Sequence, residues 1–90
     1  MYKAQILAAA LELAETHGYQ HVLKRHVAKR LKIGMGTVNS NWGTMEALRY
    51  EVVREAIATS NAKVMLQAIA ARHPLTIRMS LEKRAIAYAQ

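Results

Sequence analysis

The feature that most constrains this chain is a short break, containing two glycines, between two amphipathic segments. The break reads Lys32-Ile33-Gly34-Met35-Gly36. Before it, residues 22–31 carry apolar side chains at helical spacing, and residues 35–42 do so after it. A break of this length is typical of the corner at which a helix-turn-helix sets two helices at a steep angle. The pattern therefore predicts a helix-turn-helix near residues 22–41.

The apolar positions around the break indicate which faces are buried. In the helix after the break, Val38 and Trp42 are four residues apart and are expected to point inward beside Ile33. The opposite face carries short polar side chains, which suit close approach to a DNA groove, although the same pattern also fits an ordinary polar surface turn. The helix before the break lacks a capping residue at His21 or Val22. Its predicted inward residues are Leu23, Val27, Ala28 and Leu31.

A further helix is predicted before the helix-turn-helix, over residues 6–17. Gly18 is expected to end it, and Tyr19 to fill the core behind it. Its apolar stripe consists of Ile6, Leu7, Ala10, Leu11 and Ala14.

Two more helices are predicted after the helix-turn-helix. Gly43-Thr44 is expected to cap a helix that runs from Met45 to about Ala71, with Thr59-Ser60-Asn61 as the place where a kink or break would fall. His73-Pro74 ends this helix, and a last one is predicted over residues 75–89.

The composition favours an all-α fold, because the chain has one proline, four glycines and no phenylalanine. It also has no cysteine, which excludes disulfides. Ninety residues form one marginally stable domain, so oligomerisation is expected. No apolar run approaches the ~20 residues that span a bilayer. Residues 1–5 lack the pattern of a signal peptide. A cytoplasmic location, with association to the nucleoid, is therefore expected.

Positive charge is concentrated at the predicted helix-turn-helix. The net charge is +7, and the segment from His21 to Gly34 contains no acidic residue. Such a block favours a polyanionic partner, since neutralising phosphates releases counterions. Charge alone leaves open a solvated helix face, RNA or an anionic membrane surface. The basic residues of this segment are Lys24, Arg25, Lys29, Arg30 and Lys32.

Taken together, the apolar stripe of the first helix, Gly18-Tyr19, Val27-Ala28, and the segment from Ile33 to Leu48 resemble the N-terminal DNA-binding domain of TetR-type regulators. The resemblance covers residues 4–55 without a gap, with Gly36-Thr37 matching the family's Gly-Thr at the recognition helix. It implies that the third helix lies in the major groove of double-stranded DNA. The DNA-contacting residues that this reading assigns are Lys24, Arg25, Lys29, Met35, Gly36, Thr37, Asn39, Ser40, Asn41 and Thr44.

The part after the helix-turn-helix is expected to form a homodimer. The sequence divides into a DNA-binding domain over residues 1–50 and a helical dimerisation extension over 51–90, together one compact unit. The extension is too short to enclose a drug-sized pocket on its own, so no small-molecule effector is expected. The residues assigned to dimerisation are Val53, Ile57, Val64, Ile69, Leu75, Leu81 and Ile86.

Other classes of function have less support. The sequence has no aspartate and no nucleophile–base pair, so an enzyme is not expected, and neither is a cofactor. The histidines lack the spacing of a metal site, and Gly34-x-Gly36 follows a helix rather than a strand, unlike a phosphate-binding loop. A membrane-surface module would need a wider apolar face. A helical adaptor, an antirepressor, or a plasmid or phage maintenance factor that keeps the fold remains the alternative to a transcriptional repressor.

Overall fold

In the computed structural model, which describes residues 2–89, α-helices joined by short turns make up the chain, with no strand in this range. No helix of this part is both long and apolar enough to cross a membrane. The prediction of an all-α fold is confirmed. Two 3₁₀ turns lie at Tyr19–His21 and Pro74–Thr76. The helices are α1 (Lys3–His17), α2 (Lys24–Leu31), α3 (Met35–Asn41), α4 (Met45–Ala58), α5 (Ala62–Ala70) and α6 (Leu81–Tyr88).

The first helix, α1, is the element on which α2, α4 and α5 pack. Its buried face combines Ile6 with small residues, Ala10 and Ala14, so that neighbouring helices approach closely. It ends at Gly18, which has a φ of 87° and donates its N–H to the carbonyl of Ala14 at 2.9 Å. Tyr19 is buried directly after it. The predicted helix end and core position are both confirmed.

One main core runs through α1 to α5. The second half of α4 and part of α5, through Val64 and Ala68, contribute to the same cluster as the helix-turn-helix, and residue 50, the predicted domain boundary, lies within α4. Gln67 of α5 adds a polar connection to this core. Its side chain accepts the N–H of Tyr19 at 2.9 Å and donates to the carbonyl of Ala14 at 2.8 Å.

The single helix predicted over residues 45–71 is two helices. The break falls at the polar triplet, where Ser60 has a φ of 57°. Asn61 then caps α5, since its Oδ1 accepts the N–H of Val64 at 3.2 Å. The chain after the helix-turn-helix therefore has three helices rather than two.

The helix predicted over residues 75–89 is wrong in its first part. Side-chain hydrogen bonds hold a 3₁₀ turn there, because His73 Nδ1 accepts the N–H of Leu75 at 3.1 Å and the Thr76 hydroxyl donates to the His73 carbonyl at 2.7 Å. The helix begins only at Leu81, where Ser80 Oγ accepts the N–H of Lys83 at 3.1 Å.

A second, smaller cluster holds α6 against α5. Met65, Met79 and Ala87 are its buried members. Lys83 Nζ donates to Ser60 Oγ at 2.6 Å, and Arg84 donates to the Thr76 carbonyl. The last helix thus packs along α5 rather than adding to the main core.

The structure corrects part of the predicted dimerisation surface. Val53 and Val64 are fully buried in the chain's own core and present no surface to a second copy. Ile57, Ile69 and Leu75 are partly buried against the two clusters. Leu81 and Ile86 remain exposed, with 86% and 36% of their surfaces accessible. Val53 and Val64 were predicted to face a partner because periodicity identifies an apolar helix face but not what covers it. In the structure, α4 and α5 pack on α1.

Candidate nucleic-acid interface

The corner between α2 and α3 is built on Lys32 rather than on a glycine. Lys32 has a φ of 57°, and its neighbour Ile33 donates its N–H to the carbonyl of Ala28 at 3.0 Å. Gly34 follows with an ordinary φ of −77° and starts α3. The predicted helix-turn-helix is therefore present, with α2 starting at Lys24 instead of Val22 and α3 ending at Asn41 instead of Trp42.

The start of α2 has no polar side chain at its N-cap, Leu23. Instead, His26 Nδ1 accepts the Leu23 N–H at 3.1 Å. A histidine three residues into the helix thus supplies half of a capping box, although no Ser, Thr or Asp stands at the cap.

Two side chains anchor α3. Val38 is fully buried, as predicted. Trp42 packs against the core but stays partly exposed, and its Nε1 donates to the Lys3 carbonyl at 3.3 Å. Lys3 Nζ lies 4.8 Å from the centre of the Trp42 ring. The start of α1 is thereby fixed against the end of α3.

On the outward face of α3, some side chains form hydrogen bonds within the fold and others do not. Ser40 Oγ and Asn41 Nδ2 donate to the carbonyl of Thr37, at 3.1 and 2.8 Å, and Asn41 and Thr37 are partly buried. The amide of Asn39 is exposed and makes no hydrogen bond to other residues in 2–89. Met35 is 45% exposed although it is apolar. Asn39 and Met35 are thus the α3 side chains that contact the rest of the fold least.

Gly36 lies on the same face with open space above it. A Cβ added there would meet no atom within 4 Å, and the residue has no left-handed φ. The fold itself therefore does not require glycine at this position.

The helix before α3, α2, carries most of the basic side chains of the predicted block. Arg25 and Lys29 are exposed and form no ion pair within the described chain. Lys24 Nζ donates to the carbonyl of Gly43 at 3.4 Å, which places its charge beside the turn after α3. Arg30 instead forms an exposed ion pair with Glu12 of α1.

Thr44 caps α4, as predicted. Its Oγ1 accepts the N–H of Ala47 at 3.1 Å, which leaves the hydroxyl hydrogen for another acceptor. The exposed hydroxyl lies directly after the turn that Lys24 contacts.

A comparison with protein-family models decides what this arrangement is. Residues 6–52, just over half of the chain, match the family described as bacterial regulatory proteins, tetR family. The chain belongs to the TetR family. The match spans nearly all of α1, the whole helix-turn-helix and the first half of α4. No curated protein and no solved structure matches the chain.

Membership of the TetR family identifies the chain as a DNA-binding transcriptional regulator that uses a helix-turn-helix. The predictions of family and fold are confirmed. The contacts assigned to individual residues remain predictions. Among residues 2–89, no three His, Cys, Asp or Glu side chains lie together as a metal site would need.

Sequence reasoning missed two basic residues near this interface. Lys3 is brought to Trp42 across 39 positions of sequence, and Arg49 Nη2 donates to the Val22 carbonyl at 2.9 Å. Both contacts are long-range in sequence, so no local pattern signals them. Lys3 extends the positive surface to the end of α3, whereas Arg49 joins α4 to the segment before α2.

Proposed function

We propose that this TetR-family chain is a sequence-specific repressor of transcription that binds a pseudo-palindromic operator as a homodimer in the bacterial cytoplasm, at the nucleoid. The observation that carries the proposal is the outward face of α3. Its amide and apolar side chains, Asn39 and Met35, are exposed and have no polar partner in residues 2–89, and the preceding helix, α2, carries the unpaired charges of Arg25 and Lys29.

These side chains suit direct reading of base edges in a major groove. The Asn39 amide has a donor and an acceptor for the N6 and N7 atoms of adenine. The exposed thioether side chain of Met35 suits the methyl group of thymine. Because Gly36 carries no side chain and has open space above it, α3 can approach the groove closely there.

A second set of residues suits the phosphates and positions α3. We assign Lys24, Arg25 and Lys29 to phosphate contacts from α2, together with the hydroxyls of Thr37 within α3 and Thr44 after it. Ser40 and Asn41 keep one hydrogen bond each to the Thr37 carbonyl and so contribute mainly to holding α3 in shape. Because phosphate contacts release counterions, the contribution of this second set to DNA affinity should fall more steeply with rising salt than that of the base-reading side chains.

The dimer contact that we propose lies on the end of the chain. Leu81 and Tyr88 of α6 are 86% and 62% exposed, and Ile77 just before α6 is 76% exposed. This much apolar surface on so small a protein favours a partner, and a two-fold pair of chains would present two α3 helices to half-sites about one DNA turn apart.

We propose repression rather than activation because repression requires only binding to the operator. Occupying the operator is sufficient to block transcription, whereas activation needs a further surface for polymerase. The adaptor alternative retains the fold without DNA binding.

Selection of bound duplexes from a random pool, run at two salt concentrations, tests the proposal. The expected result is an enriched inverted repeat at both concentrations, with weaker binding at the higher one. Enrichment of no sequence, together with binding that disappears at moderate salt, would refute sequence-specific regulation. Failure to bind any duplex at low salt would favour the adaptor.

A further inference from the structure

A cleft of about 580 Å³ lies where the helix-turn-helix part meets the C-terminal part. Its walls come from the 3₁₀ turn Tyr19–His21, the start of α4 and the His73-Pro74 segment. The volume is in the range of small-molecule sites. The extension does not enclose this cleft by itself, because both parts of the chain form its walls.

Three aromatic rings form one side of the cleft. His73 lies edge-on to Tyr19, with ring centres 6.0 Å apart, and tilted against Tyr50 at 5.4 Å. Hydrogen bonds fix two of these residues, because Gln67 holds the backbone of Tyr19 and the N–H of Leu75 holds the His73 ring. The aromatic wall is therefore preformed, and its shape suits a planar ring.

One polar residue of the cleft is a cation without an ion pair. Arg49 is among the lining residues, and its guanidinium donates through Nη2 to the Val22 carbonyl and forms no ion pair with any residue in 2–89. Its Nε is buried and has no acceptor in that range. Since His73 Nδ1 accepts a backbone hydrogen bond, the neutral ring carries its proton on Nε2 and is also a donor. Glu46 is the acidic residue among the lining side chains.

A part-buried cation without a counter-ion, beside an aromatic wall, needs an anion with a flat apolar body. We propose that this cleft binds a small aromatic carboxylate, with its ring against Tyr50 and His73 and its carboxylate paired with Arg49. The inference goes beyond the proposed repressor function and does not depend on DNA binding. Burial lowers the pKa of His73, and a bound anion would raise it.

Benzoate and its neutral isostere benzamide are the probes, used with the full chain by calorimetry and by NMR of the histidine rings. Benzoate should bind saturably, at least about tenfold more tightly than benzamide. Benzoate alone should raise the pKa of His73. No saturable benzoate binding at millimolar concentrations, or equal binding of the two probes, overturns the proposal.

Two variants locate the site. Arg49→Gln should weaken benzoate binding by about tenfold or more and leave benzamide unchanged. Arg78→Gln removes the same charge from an exposed residue outside the cleft and should bind benzoate like the wild type. Equal losses in both variants would show a general charge effect and overturn the assignment. If Arg49→Gln does not fold, the proposal is still tested in the wild type by whether benzoate raises the pKa of His73. No DNA enters the test, so its failure is separate from failure of the repressor proposal.

Discussion

At the scale of single residues, Trp42 joins the recognition helix to α1. Truncation to Ala should lower the free energy of unfolding by about 3 kcal/mol, the low end for aromatic residues, since the ring is partly exposed. Trp42→Phe keeps most of the ring and loses the hydrogen bond to the Lys3 carbonyl, at a cost of about 1 kcal/mol. Urea unfolding of the three proteins measures both. Equal costs for the two variants would mean that the ring does not pack as described.

His73 gives the chain a predicted pH dependence. Burial lowers the pKa of His73 in the folded chain, whereas in the unfolded chain this residue keeps its ordinary pKa of about 6.5. Below that pH, the unfolded chain therefore binds the proton more readily than the folded chain does. The His73 contribution to stability is therefore complete above that pH and is lost as the pH falls toward the folded pKa.

The matched variant is His73→Asn, whose side-chain oxygen can still accept the N–H of Leu75. Between about pH 7 and pH 5, the wild type should lose more stability in thermal unfolding than His73→Asn. Identical losses for the two proteins would contradict the assignment.

At the scale of elements, a single substitution in α3 is expected to change fold stability and DNA affinity in opposite directions. Because nothing lies within 4 Å of the position where a Cβ would be, Gly36→Ala should stabilise the fold by up to about 1 kcal/mol. The same methyl group would stand between α3 and the groove, so DNA affinity should fall by about tenfold. Gly43→Ala, also facing open space but outside α3, should lose much less.

Unfolding and fluorescence anisotropy measure the two effects on the same preparations. Unchanged DNA affinity in Gly36→Ala would show that the groove does not reach this part of α3. A loss of stability would contradict the space seen around Gly36.

The helices up to the start of α4 were predictable because their stripes repeat over whole turns and are bounded by recognisable residues, Gly18 at the end of α1 and Thr44 at the start of α4. For the later helices, the predicted place of a kink or break at residues 59–61 is confirmed, but the division into α5, a 3₁₀ turn and α6 was not predictable, because single side chains decide it. Asn61 and Ser80 start α5 and α6, and His73 and Thr76 divert the intervening chain into a 3₁₀ turn. Periodicity carries no information about which of two competing hydrogen bonds a side chain forms.

At the scale of the whole molecule, contacts between residues far apart in the chain could not be predicted from the sequence. Gln67 connects α5 to the end of α1 across 53 positions, and this bond ties the extension to the DNA-binding part. For the same reason Val53 and Val64 were assigned to a dimer interface although they lie in the core. The helix-turn-helix was predictable since its two helices are adjacent in sequence.

The dimer itself is best tested on α6. Leu81 is 86% exposed, so Leu81→Glu should leave the monomer folded while it disrupts the proposed interface. Light scattering after gel filtration should give a dimer for the wild type and a monomer for this variant. Gln5→Glu adds the same charge at an exposed site on α1 and should remain dimeric. A Leu81→Glu protein that stays a dimer would place the interface elsewhere.

The central claim, that α3 reads base edges, is tested most directly by the affinity of Asn39→Ala for the selected duplex and for a scrambled one. The Asn39 side chain has no partner in residues 2–89, so the fold and its circular dichroism should not change. Binding to the selected duplex should weaken by about 1–3 kcal/mol, with binding to the scrambled duplex unchanged, and Gln20→Ala should match the wild type on both. Equal affinity of Asn39→Ala and the wild type for the selected duplex would contradict the account.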